Sequence, residues 1–125
     1  MNDDVTLEKI SPETCFVPAT DQGKGRRIAV APGNTAARYL HYGRITLEAD
    51  DAPLSFENRE QETGLICLKG KATVASEGQA FKLEQYDALY VPRDSHIEVR
   101  AAAPEGCDLA EVGAPVSARY PLKYG

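Results

Sequence analysis

An all-β sandwich or barrel is the fold class this chain predicts, and three observations carry the prediction. Between Glu62 and Val99, short apolar stretches follow one another closely, and each is closed by Gly, Pro or Asp. From Arg44 to Glu48 the side chains alternate cleanly, with Ile45 and Leu47 on one face and Arg44, Thr46 and Glu48 on the other. No stretch shows a helical period of comparable strength. At 125 residues the chain is one domain, long enough to bury a core without staples.

The elements follow in order. Met1 to Thr20, with Pro12 and Pro18, reads as an irregular arm with one strand around Cys15, Phe16 and Val17. Asp21 to Gly25, DQGKG, is a loop; it lacks the GxxxxGK[ST] spacing of a phosphate loop and no helix follows. Arg26 to Ala31 is a short strand ending at the Pro32-Gly33 turn. Arg38 to Ala49 is the longest strand candidate, and Gly43 within it marks a bulge or bend that leaves the parity upstream of it open. A strand opening at Leu54 to Phe56 runs into the charged segment Glu57 to Glu62.

The central strands are Gly64–Leu68, Lys71–Ser76, Ala80–Leu83, Ala88–Val91 and Ile97–Ala101. They are separated by Lys69-Gly70, Glu77-Gly78, Glu84-Gln85 and Pro92-Arg93-Asp94. A last strand, Cys107 to Val112, follows the Pro104-Glu105-Gly106 turn, and its Leu109, Glu111 and Val112 alternate poorly. The expected organisation is an arm and loop over 1–27, a barrel over 28–113 and an extended tail over 114–125. Tyr120 and Tyr124 in that tail cover the barrel or a neighbouring subunit.

Composition narrows the function. Net charge is −5 and the only basic grouping is Lys24, Arg26 and Arg27, which argues against nucleic acid and anionic membrane as partners. Three cysteines without a CxxC spacing suit a reducing cytoplasm. Cys67, inside an apolar run, reads as a small hydrophobe; the nucleophile reading lacks a partner base. There is no signal peptide, and no apolar run approaches the roughly 20 residues of a membrane span.

The segments LKGKATV, EGQAFKL and YDALYVPRDSHIEV resemble the second half of a cupin barrel. More narrowly, together with VAPGNTAARYLHYGRITLEA upstream, they resemble the amino-terminal half of 5-deoxy-glucuronate isomerase from inositol breakdown. The 5-keto-4-deoxyuronate isomerase family is similar. The resemblance covers Ile28 to Pro121. It implies a single cupin-type double-stranded β-helix, a jelly-roll barrel. It also implies a link to carbohydrate metabolism and, if the chain is active, an intramolecular oxidoreductase of the aldose–ketose isomerase type. In such enzymes a divalent metal polarises the substrate carbonyl. In these families the metal, held by three histidines and a glutamate, belongs to the carboxy-terminal half, and this chain resembles the other half.

The metal motifs can be placed by their turns. Counting from Gly70, the HxH places fall on Phe56 and Asn58, or on Ser55 and Glu57 with a one-residue shift that also brings Glu62 to the glutamate place. Five residues past Pro92 stands Ile97, with His96 one place early. Ile97, Val99 and Ala101 belong inside, so His96 reads as a surface histidine. No cofactor is expected, because the usual histidine ligands are absent.

The pocket candidates are His41, Glu57, Glu62 and Arg93. His41 shares the face of Ile45 and Leu47 if Gly43 leaves the register intact, and would then line the barrel with Glu57 and Glu62; its structural reading is a hydrogen-bonded core histidine. Glu57, Glu60 and Glu62 are a carboxylate cluster or a solvated strand edge. Arg93 pairs with a substrate carboxylate at the mouth or is a solvated turn residue.

Three functions remain open. The chain is a cupin that binds a small polar ligand such as a sugar acid, or serves as the metal-free partner of an isomerase. It is a non-catalytic structural or dimerisation cupin. Or it is a metal-dependent isomerase with unusual ligands, drawn from His41, Glu57 and Glu62. A homodimer is expected, because open sheet edges invite pairing.

Overall fold

The structure, a computed structural model, describes residues 10–124. One helical turn, α1 (Pro12–Cys15), precedes ten strands. These are β1 (Gly25–Val30), β2 (His41–Leu47), β3 (Leu54–Glu57), β4 (Gln61–Gly70) and β5 (Ala72–Ser76). They continue with β6 (Gln79–Leu83), β7 (Ala88–Val91), β8 (His96–Ala101), β9 (Cys107–Pro115) and β10 (Lys123–Tyr124). Two antiparallel sheets face each other. One has the order β1-β2-β9-β4-β7-β10 and the other β3-β8-β5-β6. This is the all-β architecture that the turn spacing predicts, in the jelly-roll form that the resemblance implies.

The arm differs from expectation. Where a strand was expected around Cys15, the chain makes α1. Pro12 stands in its first turn, where the fixed φ suits a helix and the missing N–H is not needed. Cys15 N–H donates to the Ser11 carbonyl at 2.9 Å, and Phe16 is already extended.

Alternation decides which side chains enter. On β2 the buried residues are His41, Gly43, Ile45 and Leu47. Gly43 does not break the pairing with β9, which runs without interruption from His41↔Gly113 to Leu47↔Cys107. The irregularity expected at Gly43 lies across from it, on β1, between Ile28 and Val30. Glycine is needed at 43 because a Cβ there would sit 2.3 Å from the Arg27 carbonyl oxygen.

On β4 the inward set is Thr63, Leu65 and Cys67, and on β8 it is Ile97 and Val99. With Val74, Leu83, Leu89, Val91 and Leu109 these side chains form one core between the sheets. Burying an aliphatic side chain of this size is worth about 1.5–3 kcal/mol. The tail is not free. Leu122 packs on the core, and β10 adds itself to β7 through Lys123↔Tyr90 and Tyr124↔Leu89. Among the described residues no helix is long and apolar enough to cross a membrane.

Candidate functional site

The strand ends at His41, Glu57, Gln61, Ser76, Val91 and His96 gather at one end of the barrel, its mouth. The carboxylate of Glu111 lies just inside it. Glu111 faces inward because it shares parity with Cys107, Leu109 and Gly113 on β9. It is 0% exposed, the buried acid of the core.

Two cations or potential cations close on it. Arg26 on β1 donates through Nε to Oε1 and through Nη2 to Oε2, both at 2.7 Å. His41 Nε2 donates to Oε2 at 2.9 Å. The other imidazole nitrogen, Nδ1, lies 3.1 Å from Gln61 Oε1. Donation to that oxygen requires the imidazolium; the neutral ring is served when the Gln61 amide turns to present its nitrogen.

Space for the His41 ring comes from Gly113 opposite. A Cβ at 113 would stand 2.2 Å from His41 Cε1. The Arg26 guanidinium lies over the Phe56 ring of the facing sheet, 3.9 Å from its centroid. Desolvation, the largest single influence, pushes the Glu111 carboxyl up. The hydrogen bonds and charges of His41 and Arg26 together outweigh it and hold the group below its ordinary value.

Chemically, the cluster is closed. Both oxygens of Glu111 are engaged, and three of its roughly four acceptor sites are taken by Arg26 and His41, which lowers its strength as a base. Arg26 already spends its Nε and Nη2 edge on a carboxylate, which leaves only its Nη1 side for another group. What the cluster does is tie β1 to β9 and β2 to both β9 and β4 across the mouth.

Of the four sequence candidates, the structure brings His41 alone inside. Glu57 faces outward and is hydrogen-bonded to His96 on the exposed surface of the four-stranded sheet. Glu62 also faces outward, where Tyr90 donates to it at 2.7 Å. It therefore does not line the barrel with His41. Arg93 is taken up by Asp94 and by the Val116 carbonyl, so it holds the tail against the mouth. Glu60 is exposed in the turn before β4.

Arg26, Gln61 and Glu111 were missed by sequence reasoning. Glu111 carried a signal, since it shares the parity of Cys107, Leu109 and Gly113. Arg26 and Gln61 carried none, because their roles follow from strand register.

A scan against family models matches residues 15–125 to the KduI/IolB family. The chain belongs to the KduI/IolB family. No curated protein matches it by sequence. Among solved structures it is similar to an IolB-like protein from Salmonella typhimurium, at 19% identity and a TM-score of 0.69. That match covers 82% of this chain and 42% of the other, so the chain spans about two-fifths of that protein. It is also similar to a cupin protein from Bacteroides fragilis, at 16% identity and a TM-score of 0.64, covering 80% of this chain and 84% of the other. The cupin domain of Cnp3 from Schizosaccharomyces pombe matches at 15% identity and a TM-score of 0.62, over 74% of this chain and 64% of that one. At these identities the likeness shows the fold alone, and the fold is the cupin fold.

The cupin metal centre can now be tested against side chains in this KduI/IolB member. The unshifted register holds. Phe56 pairs with Ile97 across β3 and β8, and Thr63 faces inward from β4. The four places are therefore Phe56, Asn58, Thr63 and Ile97. Phe56 and Ile97 carry no donor. Asn58 uses its whole amide on the loops: Nδ2 donates to Pro92 O at 2.8 Å and to Thr63 Oγ1 at 3.2 Å, and Oδ1 accepts from Ser95 N–H at 2.8 Å. These residues do not fit a divalent metal, whose usual donors are imidazole and carboxylate. Among the described residues no group of three or more His, Cys, Asp or Glu is gathered to hold one.

Proposed function

We propose that this chain is a metal-free cupin of the KduI/IolB family, without isomerase activity of its own, that serves as a structural or partner domain. One observation carries the reading: the places from which a cupin holds its metal are filled by Phe56, Asn58, Thr63 and Ile97, packed or hydrogen-bonded to one another. The engagement of Glu111 supports it, since the interior acid with a histidine beside it is already compensated by Arg26 and His41. Such a domain acts through its surface, and a homodimer is the simplest assembly for it.

The test is metal content. The full chain is expressed in medium supplemented with zinc, manganese, nickel and iron, then purified without chelator. Bound metal well below one equivalent is expected, with no conversion of a 5-deoxy-glucuronate or 5-keto-4-deoxyuronate substrate. A stoichiometric metal that survives gel filtration, or turnover that chelation abolishes, overturns the reading.

A second reading rests on Arg26, whose side chain keeps 30% of its surface exposed. A sugar acid would exchange places with Glu111 on that guanidinium. Uronic and keto-deoxy sugar acids would then raise the melting temperature, and an Arg26→Met variant would lose the rise. No shift with any of them removes this reading.

A further inference from the structure

On the outer face of the larger sheet, β4 and its two neighbours leave a groove. The registers set Glu62 opposite Ala114, and Gly64 between Val112 and Tyr90. Gly64 and Ala114 keep the floor low, while Leu40, Val112 and Tyr90 wall it, enclosing about 310 Å³. A second depression of about 310 Å³ is bounded by Glu62, Tyr90 and Tyr120. Glu62 and Tyr90 belong to both, so a half-buried carboxylate stands where the two meet.

That carboxylate differs from the acids that arginines hold. Glu111, Asp108 and Glu77 each face an arginine: Arg26, Arg44 and Arg119. Among the described residues Glu62 has no basic partner, and the side chain that bonds it is the neutral Tyr90 hydroxyl. Burial, then the hydrogen bond to Glu62 and its charge, push the Tyr90 phenol up to about 12, so it stays a donor at neutral pH. The hydroxyl orients the carboxylate without neutralising it. The groove is thus apolar along its length, negative at one point and flanked there by two tyrosine rings.

That pattern selects among ligands. A sugar needs several polar partners around its hydroxyls, and the walls supply one acid. An anion is repelled. A lysine side chain fits every feature: its methylenes lie against Leu40, Val112 and Ala114, and its ammonium reaches Glu62 beside Tyr90 and Tyr120. The chain's net charge of −5 draws such a cation in from a distance. The groove lies open on a sheet face, which suits a side chain presented by another polypeptide.

We propose that this groove is a docking site for a lysine side chain of a partner polypeptide, with Glu62 as its counter-charge and Tyr90 and Tyr120 as its aromatic flank. The site goes beyond the metal-free reading of the barrel interior. The two fail separately, because metal content reports on the inside and lysine binding on the outer face.

The experiment is an NMR titration of the ¹⁵N-labelled full chain with Nα-acetyl-lysine-N-methylamide. The comparison ligands are Nα-acetyl-norleucine-N-methylamide, which lacks the charge, and n-butylamine, which lacks the polypeptide backbone. Saturable shifts are expected at the amides of Gly64, Val112 and Ala114, with a Kd on the order of millimolar for one side chain. Glu62→Gln should weaken binding at least ~10-fold, the cost of losing a charged hydrogen bond. Tyr120→Ala, an exposed substitution that leaves the carboxylate in place, should weaken it about 3-fold. Equal binding of the norleucine amide overturns the proposal, as do unchanged affinity in Glu62→Gln, tighter binding of n-butylamine than of the lysine amide, or shifts confined to another face. Both variants must first reproduce the wild-type amide spectrum away from the groove.

Discussion

Glu111 and Glu62 sit on neighbouring strands of one sheet, on opposite faces of it. Glu111 points in and is saturated by Arg26 and His41. Glu62 points out, is half-buried and holds one neutral hydroxyl. A carboxylate taken out of water survives only with its charge compensated, so the inner one is built into the fold. The outer one keeps part of its hydration and can stay uncompensated until a cation arrives. Identity of residue type says nothing about which of these a glutamate becomes; the face of the strand decides it.

The largest effect should come from removing the inner acid. Glu111→Ala leaves Arg26 and His41 facing each other without an anion and should cost ~3 kcal/mol or more. Glu62→Ala should change stability by less than ~0.5 kcal/mol, as expected for a site outside the core. Urea unfolding at neutral pH measures both, and similar costs for the two would break the comparison.

The flanking glycines sharpen it. At Gly113 a methyl group meets the His41 ring at 2.2 Å and the Glu62 carbonyl at 2.8 Å. Gly113→Ala should therefore push His41 off Glu111 and cost ~1–3 kcal/mol. At Gly64, on the outer face, the neighbour is the tip of Val112 at 3.1 Å, which can rotate away. Gly64→Ala should stay within ~0.5 kcal/mol of wild type.

Acid should act through the inner residue. The folded state holds the Glu111 carboxyl below the ordinary carboxylate value of 4.5. Its contribution is therefore complete above that value and is lost as pH falls through the lower folded one. A Glu111→Gln variant should show a shallower fall of stability with acid than wild type. Denaturant midpoints measured from neutral pH downward report both slopes.

The smallest effect belongs to Tyr90. Its phenol, pushed up to about 12, should titrate late by ultraviolet absorbance and move back toward 10 in Glu62→Gln. Loss of that hydrogen bond in Tyr90→Phe should cost no more than ~0.5 kcal/mol, because water can take the hydroxyl's place on the half-exposed carboxylate.

The strands were legible because their boundaries are local. Gly70, Gly78 and Gly106 take positive φ and stand where the turns were placed, and Ala88–Val91 begins and ends as the apolar run does. The parity after Pro92 was legible too, because only one register of Ile97, Val99 and Ala101 puts aliphatic groups inside. The α1 turn was not, since four residues of mixed character carry no period.

Glu57 and Glu62 looked like partners of His41 because a one-residue shift puts them at the HxH and glutamate places. The distinction between them is a one-residue shift on β3 and β4, and Phe56 and Thr63 settled it by facing in. The sequence by itself determined the class of fold, the parity that sends Ile97 inward and the absence of histidine from the metal places. Each follows from near neighbours along the chain. Only the tertiary structure decided that Arg26 would close on Glu111 from 85 positions away, and that Glu62 would stand without a cation. Strand pairing sets those distances, and pairing is chosen by the packing of the whole barrel rather than by any segment within it.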